Sequence, residues 1–471
     1  MGAKIDMTRG SISRGLYKMA LPVMGTSFLQ MAYNLVDMIW IGRVGSRAVA
    51  AVGSAGFYLW MSFAFILVSK VGAEVRVAQN VGAKNMKRAR DYARNAIQLN
   101  LVMAVFYGVR IYIGRGPLIG FFNLGDHGVI EMAESYLAII ALGMVFNFTN
   151  PVLTGIFNGY GDSKTPFLMN TIGLVANMVL DPLLIFGWGP IPSMGVAGAA
   201  IATVLAQVMV TLSFIIYIRR GNGIVKNLRM KVLPERYIIN ELFKLGFPVA
   251  LHSGMFTGFS MGIARIIAGW GPVPIAVQKV GSQIESLSWM TALGFQAALG
   301  TFVGQNFGAN QPERIKKGYM ISVFIMTIVG IFTTLLLYFG AEPIFAIFIP
   351  EEESIRLGID YLKILSFSQW FMCMEILTAG AFNGLGKTTP PSIVSIVLNA
   401  ARIPLALILS VESLLGLNGV WWSISVTAVL KGVILVVWFI CLTKKWDFFR
   451  RKENEEAEAE VSDIFLVNKD L

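Results

Sequence analysis

The chain has 471 residues, of which 55% are hydrophobic and only 14% are charged, and its mean hydropathy is +0.65. These values exclude an ordinary soluble domain and indicate a polytopic membrane protein. Two cysteines and two histidines are too few for a disulfide framework or a histidine-built metal site, and membrane topology explains the net charge of +11 better than nucleic-acid binding does.

Apolar windows of about twenty residues predict the transmembrane helices. Six of them lie in the first half of the chain: Leu16 to Ile41, Ala48 to Val71, Ala93 to Ile113, Ala133 to Phe157, Phe167 to Phe186 and Val196 to Ile218. Six more lie in the second half: Leu245 to Ala268, Pro274 to Val303, Tyr319 to Gly340, Leu362 to Phe382, Ser392 to Leu409 and Gly419 to Leu442. The first window contains Asp37 and is too long for the apolar core of a signal peptide, so no cleavable signal is expected.

The distribution of Lys and Arg predicts the orientation, because basic residues in short loops tend to stay cytoplasmic. Basic clusters follow the second, sixth, eighth and twelfth windows, at residues 84–94, 219–231, 314–317 and 444–452. Both termini are therefore predicted to be cytoplasmic, in a multi-pass protein of the cell membrane, with Glu351 to Glu353 outside. Three arginines depart from this charge rule: Arg43, Arg47 and Arg115.

An internal repeat organises the chain. Gln79 to Ala83 recurs 226 positions later as Gln305 to Ala309, and Phe157 to Gly161 recurs 225 positions later as Phe382 to Gly386. Six predicted helices, an even number, separate the matched motifs, so the two halves are parallel repeats that enter the membrane in the same sense. Two such lobes with a site between them near the midplane are typical of a transporter rather than a channel.

The repeat predicts the domain organisation of an all-α membrane protein with twelve transmembrane helices in two pseudo-symmetric lobes of six helices. The predicted units are an N-lobe (1–220), a cytoplasmic linker (221–244), a C-lobe (245–446) and a polar cytoplasmic tail (447–471).

Two acidic residues, Asp37 and Asp181, lie inside apolar windows. A charged side chain at the bilayer centre costs about 2.5 to 3.5 kcal/mol on insertion scales, so it persists only with a partner, a bound ion or water. At the repeat offsets these acids correspond to Ile263 and Ala406, so the second half lacks both. We interpret them as functional, with neutralisation of an internal Lys or Arg as the structural alternative.

Polar residues at helical spacing surround these acids, since positions three, four and seven apart share one face of a helix. They form stripes at Gln30, Tyr33, Asn34 and Asp37; at Asn170, Asn177 and Asp181; at Thr203, Gln207 and Thr211; and at Tyr136, Asn147 and Asn150. The stripes predict a hydrated cavity in the first lobe, or alternatively contacts that only join helices. Methionine and aromatic side chains such as Phe57, Met61 and Met169 either line an adaptable drug pocket or pack the interior. The substrate-binding candidates are Gln30, Tyr33, Asn34, Phe57, Met61, Asn147, Asn150, Met169 and Asn170.

Such a cavity suits cation chemistry, because two neighbouring carboxylates cannot both stay ionised cheaply and one of them must take a proton or a metal ion. Oxygen atoms of Asp37, Asn177, Asp181 and Thr203 would suit a small hard cation such as Na⁺. Coupling to protons needs only a carboxylate that can be protonated. The sequence leaves both ions open and implies no other cofactor.

The chain resembles the multidrug and toxic compound extrusion (MATE) family, in its archaeal and bacterial DinF-like branch. The resemblance rests on Pro22 and Asp37, the two Gln-Asn-x-Gly-Ala loops, the two Phe-Asn-Gly-x-Gly loops, and Asn177 with Asp181 and Pro182. It implies two lobes forming a V-shaped central cleft, and export of cationic or amphipathic drugs by antiport against protons or sodium ions. It further implies an ion-coupling network of Asp37, Tyr136, Asn177, Asp181 and Thr203, with Pro22 letting the first helix bend.

Other classes of function have less support. The sequence has no phosphate-binding loop, nucleophile elbow or metal-ligand cluster, so an enzyme is not expected. The expected partners are small drugs and membrane lipids, with no nucleic acid, and the protein is expected to work as a monomer. The alternative is a flippase for lipid-linked oligosaccharide or lipid precursors. In the second half Glu375 and Arg402 are expected to form a structural ion pair.

Overall fold

The computed structural model describes residues 5–122, 124–190, 192–220, 224–225, 228–348 and 351–467, without the side chains of 34, 35, 272 and 445–467. This part of the chain folds into thirteen helices. They are α1 (Ile12–Val44), α2 (Ser46–Gly82), α3 (Met86–Gly120), α4 (His127–Tyr160), α5 (Lys164–Phe186), α6 (Gly195–Arg220), α7 (Arg236–Ala268), α8 (Pro272–Gly308), α9 (Pro312–Phe339), α10 (Ala341–Phe348), α11 (Glu352–Gly384), α12 (Thr389–Leu409) and α13 (Leu417–Val467). The all-helical prediction is confirmed, and the short α10 is a helix that the hydropathy windows did not predict.

Eight of the helices in the described part are long and apolar enough to cross a membrane: α2, α3, α4, α5, α6, α9, α12 and the segment Leu417–Lys444 of α13. The remaining long helices, α1, α7, α8 and α11, have 33 to 37 residues but fall outside this apolar set. The protein is therefore a multi-pass membrane protein.

The helix boundaries repeat with the same offsets as the sequence motifs. Helix α2 covers residues 46–82 and α8 covers 272–308, so both ends are 226 positions apart. Helices α4 and α11 begin 225 positions apart, at His127 and Glu352. Each is followed by a glycine with positive φ, Gly161 at 92° and Gly386 at 75°, a conformation that glycine adopts without steric cost. The internal repeat is therefore present in the structure as well as in the sequence.

Helix α4 begins at a capping residue that also pairs with an arginine. Asp126 accepts a hydrogen bond from the backbone N–H of Gly128 at 2.9 Å, as expected of an aspartate before the first turn of a helix. Its carboxylate also lies 2.5 Å from Arg47 Nη2, and this guanidinium holds the pKa of Asp126 below its ordinary value. Arg47 is one of the arginines that depart from the charge rule, and the pairing with Asp126 accounts for it.

The buried hydrophobic side chains form separate clusters. The first cluster runs from Ile41 to Leu242 and so takes in α2 to α6 and the first turns of α7. The second combines residues of α8, α9, α11 and α13 with the first turns of α1, including Leu16 and Met19. Each half of the chain therefore packs the start of its own first helix into the core of the other half. Helix α1 contributes to both clusters, while the last turns of α7 pack in a smaller cluster with Ala406 and Val420.

A buried ion pair joins α11 and α13 in the second half. Lys431 Nζ lies 2.9 Å from Glu375 Oε2, and Ser395 Oγ of α12 donates to Glu375 Oε1 at 3.0 Å. Both charged side chains are at least nine-tenths buried. Arg402 instead donates from Nε to Thr427 Oγ1 at 3.0 Å. The expected Glu375–Arg402 pair was wrong, because Lys431 on the neighbouring helix reaches the carboxylate directly.

We predict that Lys431→Met destabilises the protein strongly, because it leaves the buried carboxylate of Glu375 without its counter-charge. Breaking such a pair costs about 3 to 5 kcal/mol, whereas replacing both partners by neutral side chains is often close to neutral. The double variant Lys431→Met/Glu375→Gln should therefore recover most of the lost stability. Thermal unfolding of the purified protein measures both, and a single variant as stable as the wild type would contradict the role of this pair.

Candidate functional site

The site is built around the last turns of α5. Asn177 and Asp181 are one turn apart on this helix, both fully buried, and Asn177 Nδ2 donates to Asp181 Oδ1 at 3.1 Å. Pro182 follows directly inside the helix and has no N–H to donate to the carbonyl one turn before it. The buried carboxylate therefore lies where the helix has lost a backbone hydrogen bond.

Three neighbouring helices bring further polar side chains to Asp181. Helix α1 contributes Tyr33 and Asp37, which are one turn apart, α4 contributes Tyr136 and α6 contributes Thr203. The tyrosines interact electrostatically with both carboxylates, and Asp37 with Asp181. The structure thus places together all five residues of the predicted ion-coupling network, with Tyr33 as a sixth member.

Three oxygen atoms of this cluster are buried and have no hydrogen-bond partner in the described part of the chain. They are Asp37 Oδ1, Asn177 Oδ1 and Asp181 Oδ2, whereas the hydroxyl groups of Tyr33 and Tyr136 interact with that of Thr203. Buried polar atoms are nearly always hydrogen-bonded, so a group of three in one place requires an explanation. Oxygen atoms of carboxylate, amide and hydroxyl groups form a donor set that suits a hard cation, and the two carboxylates could instead accept protons.

The structural alternative for the two acids was neutralisation by an internal base. Among the described side chains, neither Asp37 nor Asp181 forms an ion pair with a Lys or Arg. Asp181 instead accepts a hydrogen bond from Asn177, and both carboxylates interact electrostatically with Tyr33 and Tyr136. A buried carboxylate without a basic partner needs some other source of positive charge.

Asn150 has a different environment from the cluster. Its Nδ2 donates to Gln207 Oε1 at 2.7 Å, and its Oδ1 accepts from Thr211 Oγ1 at 2.7 Å, so the side chain joins α4 to α6. Contacts of this kind are common between membrane helices. The geometry favours the helix-joining interpretation for Asn150, Gln207 and Thr211.

The other substrate-binding candidates lie in varied surroundings and stay predictions. Asn147 contacts Met144 Sδ, and Asn170 donates within its own helix to Pro166 O at 2.7 Å. Met169 packs against the first hydrophobic cluster, and Phe57 packs edge-on against Phe122. Gln30 and Met61 are exposed, and the side chain of Asn34 lies outside the described residues.

One ionisable pair in the first half was missed by the sequence analysis. Lys70 and Glu74 are one turn apart on α2, and they interact electrostatically. Both lie against α4, where Gly155 and Gly159 provide the space. The signal was an acid and a base at helical spacing, but the predicted second window ended at Val71, whereas the helix continues to Gly82.

Comparison with known proteins identifies the family. The family model MatE matches residues 22–183 and 248–408, and the two matches begin at the repeat-related prolines Pro22 and Pro248. A probable multidrug resistance protein NorM of Thermotoga maritima is 30% identical over 447 residues, which cover 93% of each chain. The probable multidrug resistance protein YoeA of Bacillus subtilis is 26% identical over 88% of this chain and 90% of the relative.

A solved structure described as the outward-facing conformation of a multidrug resistance MATE family transporter of the MOP superfamily has the same fold. It is 24% identical, with a TM-score of 0.84, and the likeness covers 94% of this chain and 98% of that one. The family model covers well over half of the chain in two matches that follow its internal repeat. The chain therefore belongs to the multidrug and toxic compound extrusion (MATE) family of multidrug transporters.

Proposed function

We propose that the protein is a secondary transporter that exports cationic or amphipathic organic compounds by antiport against protons or sodium ions. The observation that carries the proposal is the cluster around Asp37 and Asp181, in which buried oxygen atoms have neither hydrogen-bond partners nor a basic neighbour. The multidrug names of the relatives support drug export over the alternative of a lipid-precursor flippase. A flippase would also be expected to have a cationic cleft rather than an acidic one.

The antiport would follow from competition for one negative charge. A cationic drug and a coupling cation both stabilise the ionised carboxylates, so binding of one weakens binding of the other, and the coupling is reciprocal. The site would bind either the drug or the ion with high affinity, but not both at the same time. Export is then driven by the gradient of the ion that enters the site from outside.

The coupling cation would be H⁺ or Na⁺, with no other cofactor. For Na⁺, the residues that would hold the ion are Asp37, Asn177, Asp181 and Thr203, with Tyr136 interacting with both carboxylates. For H⁺, protonation of one carboxylate would remove the repulsion between the two. In both cases positive charge is added beside Asp37 of α1, the helix that also contains Pro22.

Pro22 would let α1 respond to that change. Proline removes one backbone hydrogen bond from a helix and permits a kink. Helix α1 continues through Pro22, and Asp37 lies about four turns further along the same helix. Ion entry at Asp37 would therefore alter the preferred shape of α1 at a position where bending costs least. We assign no catalytic residue, in keeping with a transport protein.

The architecture we propose has twelve spans in two six-helix lobes, 1–220 and 245–446, which form a V around a central cleft. The repeated helix boundaries and the separate hydrophobic clusters support it. The linker (221–244), the tail (447–471) and both termini would face the cytoplasm of a cell-membrane protein that works as a monomer. Its partners would be small drugs and the surrounding lipids.

We predict that Asp37→Asn and Asp181→Asn each abolish ion-driven export, because an amide keeps the shape of the side chain but has no negative charge to attract a cation and does not take up a proton. Export of a fluorescent cationic drug from proteoliposomes measures the effect. Asp126→Asn is the matched control, since it lies outside the cluster and asparagine still caps α4. Full export by a correctly folded Asp37→Asn protein would refute the proposal.

Thr203→Val tests which ion is used, because it removes one oxygen atom from the cluster at nearly constant volume. If sodium is the coupling ion, we expect the sodium concentration for half-maximal export to rise about tenfold, as expected for the loss of one polar contact to a charge. If protons are used, export should keep its dependence on pH. The control is Thr171→Val, whose hydroxyl bonds only within α5. A Thr203→Val protein with unchanged sodium dependence in a sodium-driven wild type would exclude Thr203 as a ligand.

A further inference from the structure

Two repeat-related glutamines form reciprocal hydrogen bonds between the halves of the chain, α1 to α6 and α7 to α13. Gln79 Nε2 at the end of α2 donates to Gly384 O at 3.0 Å. Gln305 Nε2 at the end of α8 donates to Gly159 O at 3.2 Å. The donors are 226 positions apart and the acceptors 225, so the two bonds are related by the internal repeat. Both glutamines are buried, with 7% and 1% of their surface exposed.

The other end of each amide is held, which fixes the direction of the donor. Arg76 Nη1 donates to Gln79 Oε1 at 2.9 Å, within the same half. The backbone N–H of Met7 donates to Gln305 Oε1 at 3.1 Å. With the carbonyl oxygen engaged, the amide nitrogen points across the junction in both cases. Each glutamine side chain is therefore held in its orientation by a second contact.

Two glycines allow the helix ends to approach closely. A Cβ atom added to Gly82 would overlap the carbonyl oxygen of Gln305, and one added to Gly308 would overlap the carbonyl oxygen of Gln79. Gly82 and Gly308 are again 226 positions apart. No side chain larger than hydrogen fits at these positions while the two halves stay in contact here.

Further bonds cross the same junction. Thr301 Oγ1 donates to Asn158 O at 3.2 Å, and the N-terminal segment adds Ile5 N to Gly161 O at 3.0 Å. Asn306 Nδ2 also donates to Met7 O at 3.1 Å. The first residues of the chain thus contact the first half at Gly161 and the second half at Gln305 and Asn306.

We propose that Gln79 and Gln305, with Gly82 and Gly308, form a glutamine clasp that holds the two halves together at the end where α2 and α8 terminate. Release of the clasp opens the cleft at that end, which is the end predicted to be cytoplasmic. The glutamines are thus positioning residues for the transport cycle, and this role rests on the proposed transport function. The clasp bonds are uncharged, so each contributes only modestly and can be exchanged for water when the halves separate. Beside them Arg76, which holds Gln79, also forms an ion pair with Glu241 of α7 at 2.9 Å.

The test uses the full-length protein with a cysteine reporter at the junction. Cys373→Ala and Cys441→Ser remove the two native cysteines, and Thr301→Cys places a thiol of similar size at a position that is 1% exposed. The reaction rate of this thiol with a soluble maleimide follows the fraction of molecules that are open at the junction. This readout needs neither a substrate nor an ion gradient.

Gln79→Glu and Gln305→Glu are the clasp variants. Each keeps the oxygen that accepts from Arg76 or Met7 but replaces the donating amide nitrogen by an oxygen that faces a carbonyl. We expect the alkylation rate to rise about tenfold in each variant and further in the double variant. Gln98→Glu is the matched control, since the amide of Gln98 donates only to the linker carbonyls of Met230 and Val232.

Gly82→Ala and Gly308→Ala test the clasp independently, because their added methyl groups act as wedges between the halves without removing a hydrogen bond. We expect faster alkylation in both. Gly53→Ala is the control, since nothing lies within 4 Å of its added Cβ. If the glutamate variants do not fold, the alanine variants still decide the question.

Unchanged alkylation in correctly folded clasp variants, or an equal rise in Gln98→Glu, would overturn the proposal. The result of this test can be distinguished from the result of the test of the proposed function. Alkylation that follows the clasp in a protein without gradient-driven drug flux would support the clasp and refute antiport. Gradient-driven flux with alkylation that ignores the clasp would do the reverse.

Discussion

Two carboxylates buried among uncharged groups set the main constraint on this protein. Asp181 is fully buried, the Oδ1 atom of Asp37 is buried without a partner, and neither acid pairs with a base in the described part of the chain. An ionised group in such surroundings costs several kcal/mol unless positive charge is supplied. The second half solves the same problem differently, since Glu375 is neutralised by the fixed charge of Lys431. The second half also contains Glu285, whose Oε1 is buried without a hydrogen-bond partner, but this carboxylate interacts electrostatically with Arg402. We propose that the first half instead depends on a cation that enters and leaves the site.

Helix α1 connects this constraint to the rest of the molecule. Its first turns pack in the core of the second half, while Ile41 near its end packs in the core of the first. Met7 lies just before the helix, at the glutamine clasp, and Pro22 lies between that end and Asp37. We propose that a change of charge at Asp37 acts through this helix, which joins both halves and begins next to the glutamine clasp. Helix α7 is the repeat-related counterpart of α1 and contains Pro248 at the position of Pro22. It has no acid at the position that corresponds to Asp37.

The sequence predicted the parts of the structure that depend on periodicity and repetition. Asp37, Asn177, Asp181 and Thr203 meet because helical spacing puts them on the facing sides of packed helices. The partners of individual side chains were harder to predict, since they depend on how neighbouring helices are rotated. That is why Glu375 pairs with Lys431 rather than with Arg402. It is also why the role of the two Gln-Asn-x-Gly-Ala loops was not evident until Gln79 and Gln305 were seen to cross between the halves.

We propose that an ion at Asp37 and Asp181 drives substrate out. The most direct test is counter-transport in proteoliposomes that contain a fluorescent cationic drug, with a proton gradient and a sodium gradient imposed separately. We expect drug movement under one of the two gradients, together with movement of the coupling ion in the opposite direction. No drug movement under either gradient, or equal movement without any gradient, would contradict it and would favour a flippase or a passive pathway.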